Sequence, residues 1–200
     1  MGYFESAVVV YLRAIYYPAG FTLPLKVMTD HKIAVEIFRE AASIIMLISV
    51  AALAGRKFWE RFAFFIFSFA IWDIFYYVWL KILLDWPATL FDWDVLFLIP
   101  LPWIGPVVAP LSIAFLMLLC SVVMVNSIEK GRDFKPTGPA WLLGLSATVI
   151  ILYSFMYDTG ATLHQQIPKP YKYGLLIVGN VFYIAAFLIS YFKKMPNVKT

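Results

Sequence analysis

Apolar residues run along the chain in five long blocks, Ile33 to Leu53, Phe58 to Leu84, Val107 to Val125, Pro139 to Tyr157 and Gly174 to Phe192. Each block holds between 19 and 27 residues. A helix rises about 1.5 Å per residue and a bilayer's hydrocarbon is about 30 Å thick, so each is long enough to span. The breaks between them are short and polar or turn-forming: Gly55-Arg56-Lys57, Asp85-Trp86-Pro87, Glu129 to Asp133, and Asp158 to Lys172. The pattern predicts an all-α integral membrane protein, one transmembrane domain over residues 1–200 built as a compact five-span helical bundle. Gly144 with Ser146, and Gly179 with Asn180, allow close helix approach inside it.

Two apolar segments do not fit the spanning pattern. Within residues 1–28, Ala7 to Tyr17 is too short to cross, carries Arg13 and ends at Pro18-Ala19-Gly20; it predicts an N-terminal interfacial helix with Tyr11, Tyr16 and Tyr17 at headgroup level. Val95 to Pro110 is interrupted by Pro100, Pro102, Gly105, Pro106 and Pro110. Proline removes backbone donors that lipid cannot replace, so this stretch predicts a re-entrant or interfacial segment covered by protein and leading into the third span.

Composition agrees with the pattern. Of 200 residues 62% are hydrophobic and only 14% charged, more apolar surface than a soluble domain of this size can bury. Lysine and arginine in the breaks divide nine against six: Arg56, Lys57, Arg61, Lys130, Arg132, Lys135, Lys193, Lys194 and Lys199 face Arg13, Lys26, Lys32, Lys81, Lys169 and Lys172. The excess places the C-terminus inside and the N-terminus outside, with a prokaryotic cytoplasmic membrane as the expected location. These cations read as lipid-facing anchors, and no nucleic-acid surface is expected. The lone Cys120 permits neither an internal disulfide nor a thiolate zinc site. The first long span is expected to act as its own insertion signal.

Five charges then stand out as misplaced: Glu36, Arg39 and Glu40 in the first block, Asp73 and Lys81 in the second. Charge at that depth costs several kcal/mol unless paired, so it marks a lock or a working site. A three-residue connection makes the two helices antiparallel neighbours. Counting depth from their common end pairs Glu36 with Lys81, and Arg39 with Asp73. Glu36, Arg39 and Glu40 share a face by i, i+3, i+4 spacing, and Asp73, Tyr77 and Lys81 by i, i+4, i+8. Glu40 is left over, which makes it the candidate for a neutral, proton-exchanging carboxyl.

Other candidates lie outside the spans. His31 sits in a polar helix start that Thr29 or Asp30 can cap, and His164 in a polar loop; one ligand each, without ligand-pair spacing, disfavours haem or another metal. Asp92 and Asp94 flank Trp93 and would point the same way in an extended chain, as a hard cation requires. Aromatic residues make up 18% of the chain and cover nearly every face of the second span. Such surfaces suit lipid, a flat apolar ligand such as a quinone, carotenoid or tetrapyrrole, or helices of other membrane subunits.

No nucleophile elbow, phosphate loop, zinc helix or histidine cluster is present, and inverted repeats are not visible. The sequence therefore favours a non-catalytic polytopic subunit of a larger, energy-transducing membrane complex. A small proton-coupled carrier using the charge cluster is the alternative. An intramembrane lipid-modifying enzyme, with Asp73 or Glu40 as general base, ranks third.

Overall fold

The computed structural model describes residues 1–22, 24, 30–99, 101–132, 134–164 and 166–193. Among the described residues, seven helices and two strands follow in the order α1 (Gly2–Tyr16), α2 (Asp30–Ala54), α3 (Phe58–Leu84), β1 (Trp93–Phe97), β2 (Trp103–Pro106), α4 (Val108–Glu129), α5 (Gly138–Met156), α6 (Thr159–Leu163) and α7 (Tyr173–Phe192). Helices α2, α3, α4, α5 and α7 are each long and apolar enough to cross a membrane, the architecture of an integral membrane protein. The expected spans thus coincide with helices, the third running on to Glu129. Thr29, Lys26, Pro100, Lys194 and Lys199 lie outside the described residues.

Local chemistry sets the helix boundaries. The Glu60 carboxylate accepts the Arg56 and Lys57 amides at 2.7 and 3.3 Å, satisfying donors that the first turn of α3 leaves free. Gly55 makes the α2–α3 turn possible: a Cβ there would stand 2.6 Å from the Arg61 backbone nitrogen. Asp85 ends α3 in the left-handed region, at φ 50°. Thr137 caps α5 by accepting the Ala140 amide at 3.2 Å.

The spans pack in the series α2, α3, α4, α7, α5. Helices α5 and α7 cross closely, because a Cβ on Gly179 would lie 2.4 Å from Ile151 Cγ1. Near the α2–α3 turn, Ala63, Met124 and Phe134 form a buried cluster, and Trp59 of α3 meets Trp141 of α5 at 5.9 Å between rings. Tyr77, Leu80 and Val107 form a second cluster toward the far end of α3. Outward side chains such as Leu53, Phe38 and Val149 stay exposed, as lipid-facing residues do.

Two elements differ from the expectation. Helix α1 starts at Gly2, five residues before the expected Ala7, and one face of it is docked. Gly2 lies against Phe75 and Tyr76, the Tyr3 ring meets Trp79 at 5.2 Å, Val9 joins the Tyr77–Leu80 cluster and Arg13 stacks on Trp86. Helix α1 therefore follows the second half of α3. In place of a wholly helical chain, the stretch before α4 contains a β-hairpin. Its strands pair antiparallel, Trp93 opposite Pro106, Asp94 opposite Gly105 and Val95 opposite Ile104, with an irregularity between Val95 and Phe97. The ladder supplies partners to backbone groups that a broken helix would leave bare, and Pro106, lacking an amide, sits at the ladder's end. Trp103 stacks on Phe155 of α5 at 6.1 Å, and Thr159 Oγ1 donates to the Pro102 carbonyl at 3.2 Å. We call this the hairpin end of the bundle.

Candidate functional site: a buried charge network at the hairpin end

Arg39, two turns into α2, is pulled between two carboxylates. Its Nε donates to Glu36 Oε2 at 2.8 Å, and its Nη1 donates to Glu5 of α1. Ser6 Oγ, one residue on, donates to the Tyr76 carbonyl at 2.9 Å, so α1 is tied to α2 and α3 at once. Burial pushes the Glu5 carboxyl above its ordinary range; Arg39 pulls it back only in part, and Glu36 adds to the rise.

A second node lies where α1 meets the hairpin. Arg13 Nη2 donates to Asp94 Oδ1 at 3.2 Å, and both side chains are buried. The guanidinium stacks 3.7 Å from the Trp86 ring centre and 4.4 Å from that of Phe21, so its faces meet aromatic rings while its edge meets the carboxylate. Tyr76 Oη donates to Asp94 Oδ2 at 3.3 Å. Burial raises the Asp94 carboxyl, against the opposing pull of Arg13, the Val95 amide and the Tyr77 and Tyr76 hydroxyls.

Glu40, the residue left over by depth counting, has a partner after all. Both its oxygens accept the Leu98 amide, at 3.1 and 2.9 Å, just beyond β1. Together the nodes join α1, α2, α3 and the hairpin through buried, mostly charge-assisted hydrogen bonds.

No family model, curated protein or solved structure matches this chain. The geometry of the site therefore carries the functional argument.

The expected pairs do not form. Lys81 Nζ bonds Asp85 Oδ1 at 2.7 Å and the Pro87 carbonyl at 3.1 Å, and Glu36 goes to Arg39. Asp73 and Lys81, at i and i+8, differ by roughly 80° around a helix, so Lys81 has rotated away from the face that holds Asp73. Arg39 pairs with Glu5 and Glu36 instead of Asp73. Asp73 makes no ion pair or hydrogen bond among the described residues and is half-buried near the middle of α3.

Asp92 and Asp94 also part company. Asp92 precedes the strand and closes a turn, accepting the Ala88 amide at 2.7 Å and Thr89 Oγ1 at 2.8 Å, while Asp94 points to Arg13. Burial works to raise Asp92, and the Thr89 and Ala88 hydrogen bonds outweigh it, leaving the carboxyl below its usual range. His31 is exposed at the start of α2, and His164 Nδ1 lies 2.8 Å from the Gly160 carbonyl. Among the described residues no three histidine, cysteine or acidic side chains gather to hold a metal.

Glu5, Arg13 and Tyr76 were not among the expected site residues. A signal for α1 existed: Gly2, Ser6, Val9 and Arg13 repeat at helical spacing and form the docked face. Beside the network, rather than through it, an open groove of about 500 Å³ runs between α3, the 87–90 loop and α4. Tyr77 and Lys81 are the titratable side chains lining it.

Proposed function

We propose that this chain is a non-catalytic polytopic subunit of a larger, energy-transducing membrane assembly. In it the buried charges fasten a short helix and a hairpin onto five spans. One observation carries the reading: four of the five charges in the first two spans are engaged in short contacts, and two of them, Arg39 and Glu40, link α2 to α1 and the hairpin. Charges used in this way specify an arrangement of elements, as buried ionic groups do when they fix register. The exposed apolar faces of α2 and α5, including Phe38, Leu53, Leu142 and Val149, supply surface for partner helices or an apolar cofactor.

The bias of basic residues supports an N-terminus outside and a C-terminus inside a prokaryotic cytoplasmic membrane. With that orientation the hairpin end lies outside, with α1 at the interface and the proline-rich hairpin as the covered, non-spanning segment.

Purification from native membranes in mild detergent tests the reading. Comigration with other integral subunits, or a bound chromophore seen as visible absorbance, is the expected result. A colourless monomer would contradict it. A second reading, a proton-coupled carrier, is favoured by Asp73, which lies in a span without a fixed partner among the described residues.

A further inference from the structure

We propose that the groove beside the last turns of α3 binds one phospholipid whose headgroup carries a primary ammonium. Its acyl chain lies along the groove and its headgroup at the Lys81–Asp85 pair. The inference goes beyond the subunit reading and needs only that α3 and α4 lie in a bilayer.

Shape comes first. A volume of about 500 Å³ falls within the range of roughly 300–1,000 Å³ typical of small-molecule sites. Ile74, Val78 and Ile82 of α3 form one wall, and Val107 and Leu111 the other. From Ile74 to Ile82 the helix rises roughly 12 Å, so the groove is drawn out along the helix axis, the direction of an acyl chain. Ile82 and Leu90 are 64% and 52% exposed, which leaves the groove open sideways to lipid. A chain can therefore enter without passing through the bundle.

Charge is confined to one end. Lys81 and Thr89 line the groove where α3 gives way to the loop, and the Asp85 and Pro87 carbonyls, at 3.3 and 3.1 Å, hold the ammonium there. Asp85 is bonded to Lys81 at 2.7 Å with its side chain 92% exposed. The hydrogen bond and charge of Lys81 keep that carboxyl below its usual range, hence ionised at neutral pH. The mouth thus presents a cation and an anion side by side.

This pairing selects among headgroups. A phosphate against Lys81 and an ammonium against Asp85 complete a ring of four charges in which every neighbour is opposite. A lipid with phosphate alone would set its charge against Asp85 with nothing to offset it. A quaternary ammonium offers no N–H to the carboxylate. Free phosphate would leave the apolar walls unused, whereas a chain covers them.

The test uses the full chain in detergent, titrated with phosphatidylethanolamine and with phosphatidylglycerol of the same acyl chains, and native mass spectrometry as readout. Wild-type protein should retain one phosphatidylethanolamine about tenfold more strongly than phosphatidylglycerol, the scale of one charge-assisted hydrogen bond. Leu111→Trp, which fills the groove, should abolish that retention, and Ile177→Trp at an exposed position of α7 should leave it unchanged. Asp85→Asn alters an exposed side chain, so the fold survives and the two lipids should become equivalent. Equal retention of both lipids by the wild type would overturn the proposal. So would a Leu111→Trp protein that melts normally and still binds; if that variant fails to fold, Asp85→Asn decides.

Discussion

A carboxylate inside an apolar helix needs a donor, and Glu40 finds one in the Leu98 amide rather than in a basic side chain. Glu40→Leu would strand that amide and should cost about 1–3 kcal/mol in unfolding measured in detergent. Glu40→Gln keeps an acceptor and should cost less. Arg13 and Asp94 are bound more tightly to each other's presence, because removing either leaves a buried charge uncompensated; Arg13→Met should cost about 3–5 kcal/mol. Asp94 also predicts a pH dependence. Its folded-state pKa lies above the ordinary value of 3.8, so its contribution to stability is fully present below that value and is lost as pH rises through the folded-state pKa. Glu5 acts in the same sense from its ordinary 4.5. Melting curves taken upward from about pH 4 should show stability declining, and Asp94→Asn should flatten the decline. A steeper decline in that variant would contradict the assignment.

At the scale of elements, the spans were legible because each is written as an unbroken apolar run, and lipid asks little more of a helix than that. The site was legible in part. Glu36, Arg39 and Glu40 do share a polar stripe, but the partners that Arg39 and Glu40 find outside α2 lie on α1 and the hairpin, and depth counting within one helical pair could not supply them. Arg39 reaches Glu5 across 34 residues of sequence and Arg13 reaches Asp94 across 81, and no local pattern specifies such contacts. The hairpin was hidden by its prolines, which signal a break in the chain and an edge strand equally well. A double-mutant cycle separates the two pairings. Glu5→Gln with Arg39→Met should show coupling above about 0.5 kcal/mol, whereas Glu36→Gln with Lys81→Met should be additive within that margin. Coupling in the second cycle alone would restore the original pairing.

Across the whole molecule, the hairpin bridges the two ends of the helix series. It packs on α5 and α4 through its strands and reaches α2 through the Leu98 amide. The charge network therefore works over the width of the bundle, holding together elements too short to cross a membrane themselves. Asp73 stands apart from this scheme, half-buried on α3 and without an ion pair among the described residues. Whether the charges fasten or carry is decided most directly by proton flux into liposomes that hold the purified protein, driven by a pH gradient. Fastening charges leave flux no greater than in protein-free liposomes, with wild type and Asp73→Asn alike. Wild-type flux that Asp73→Asn abolishes, in a variant that folds and inserts normally, would contradict it.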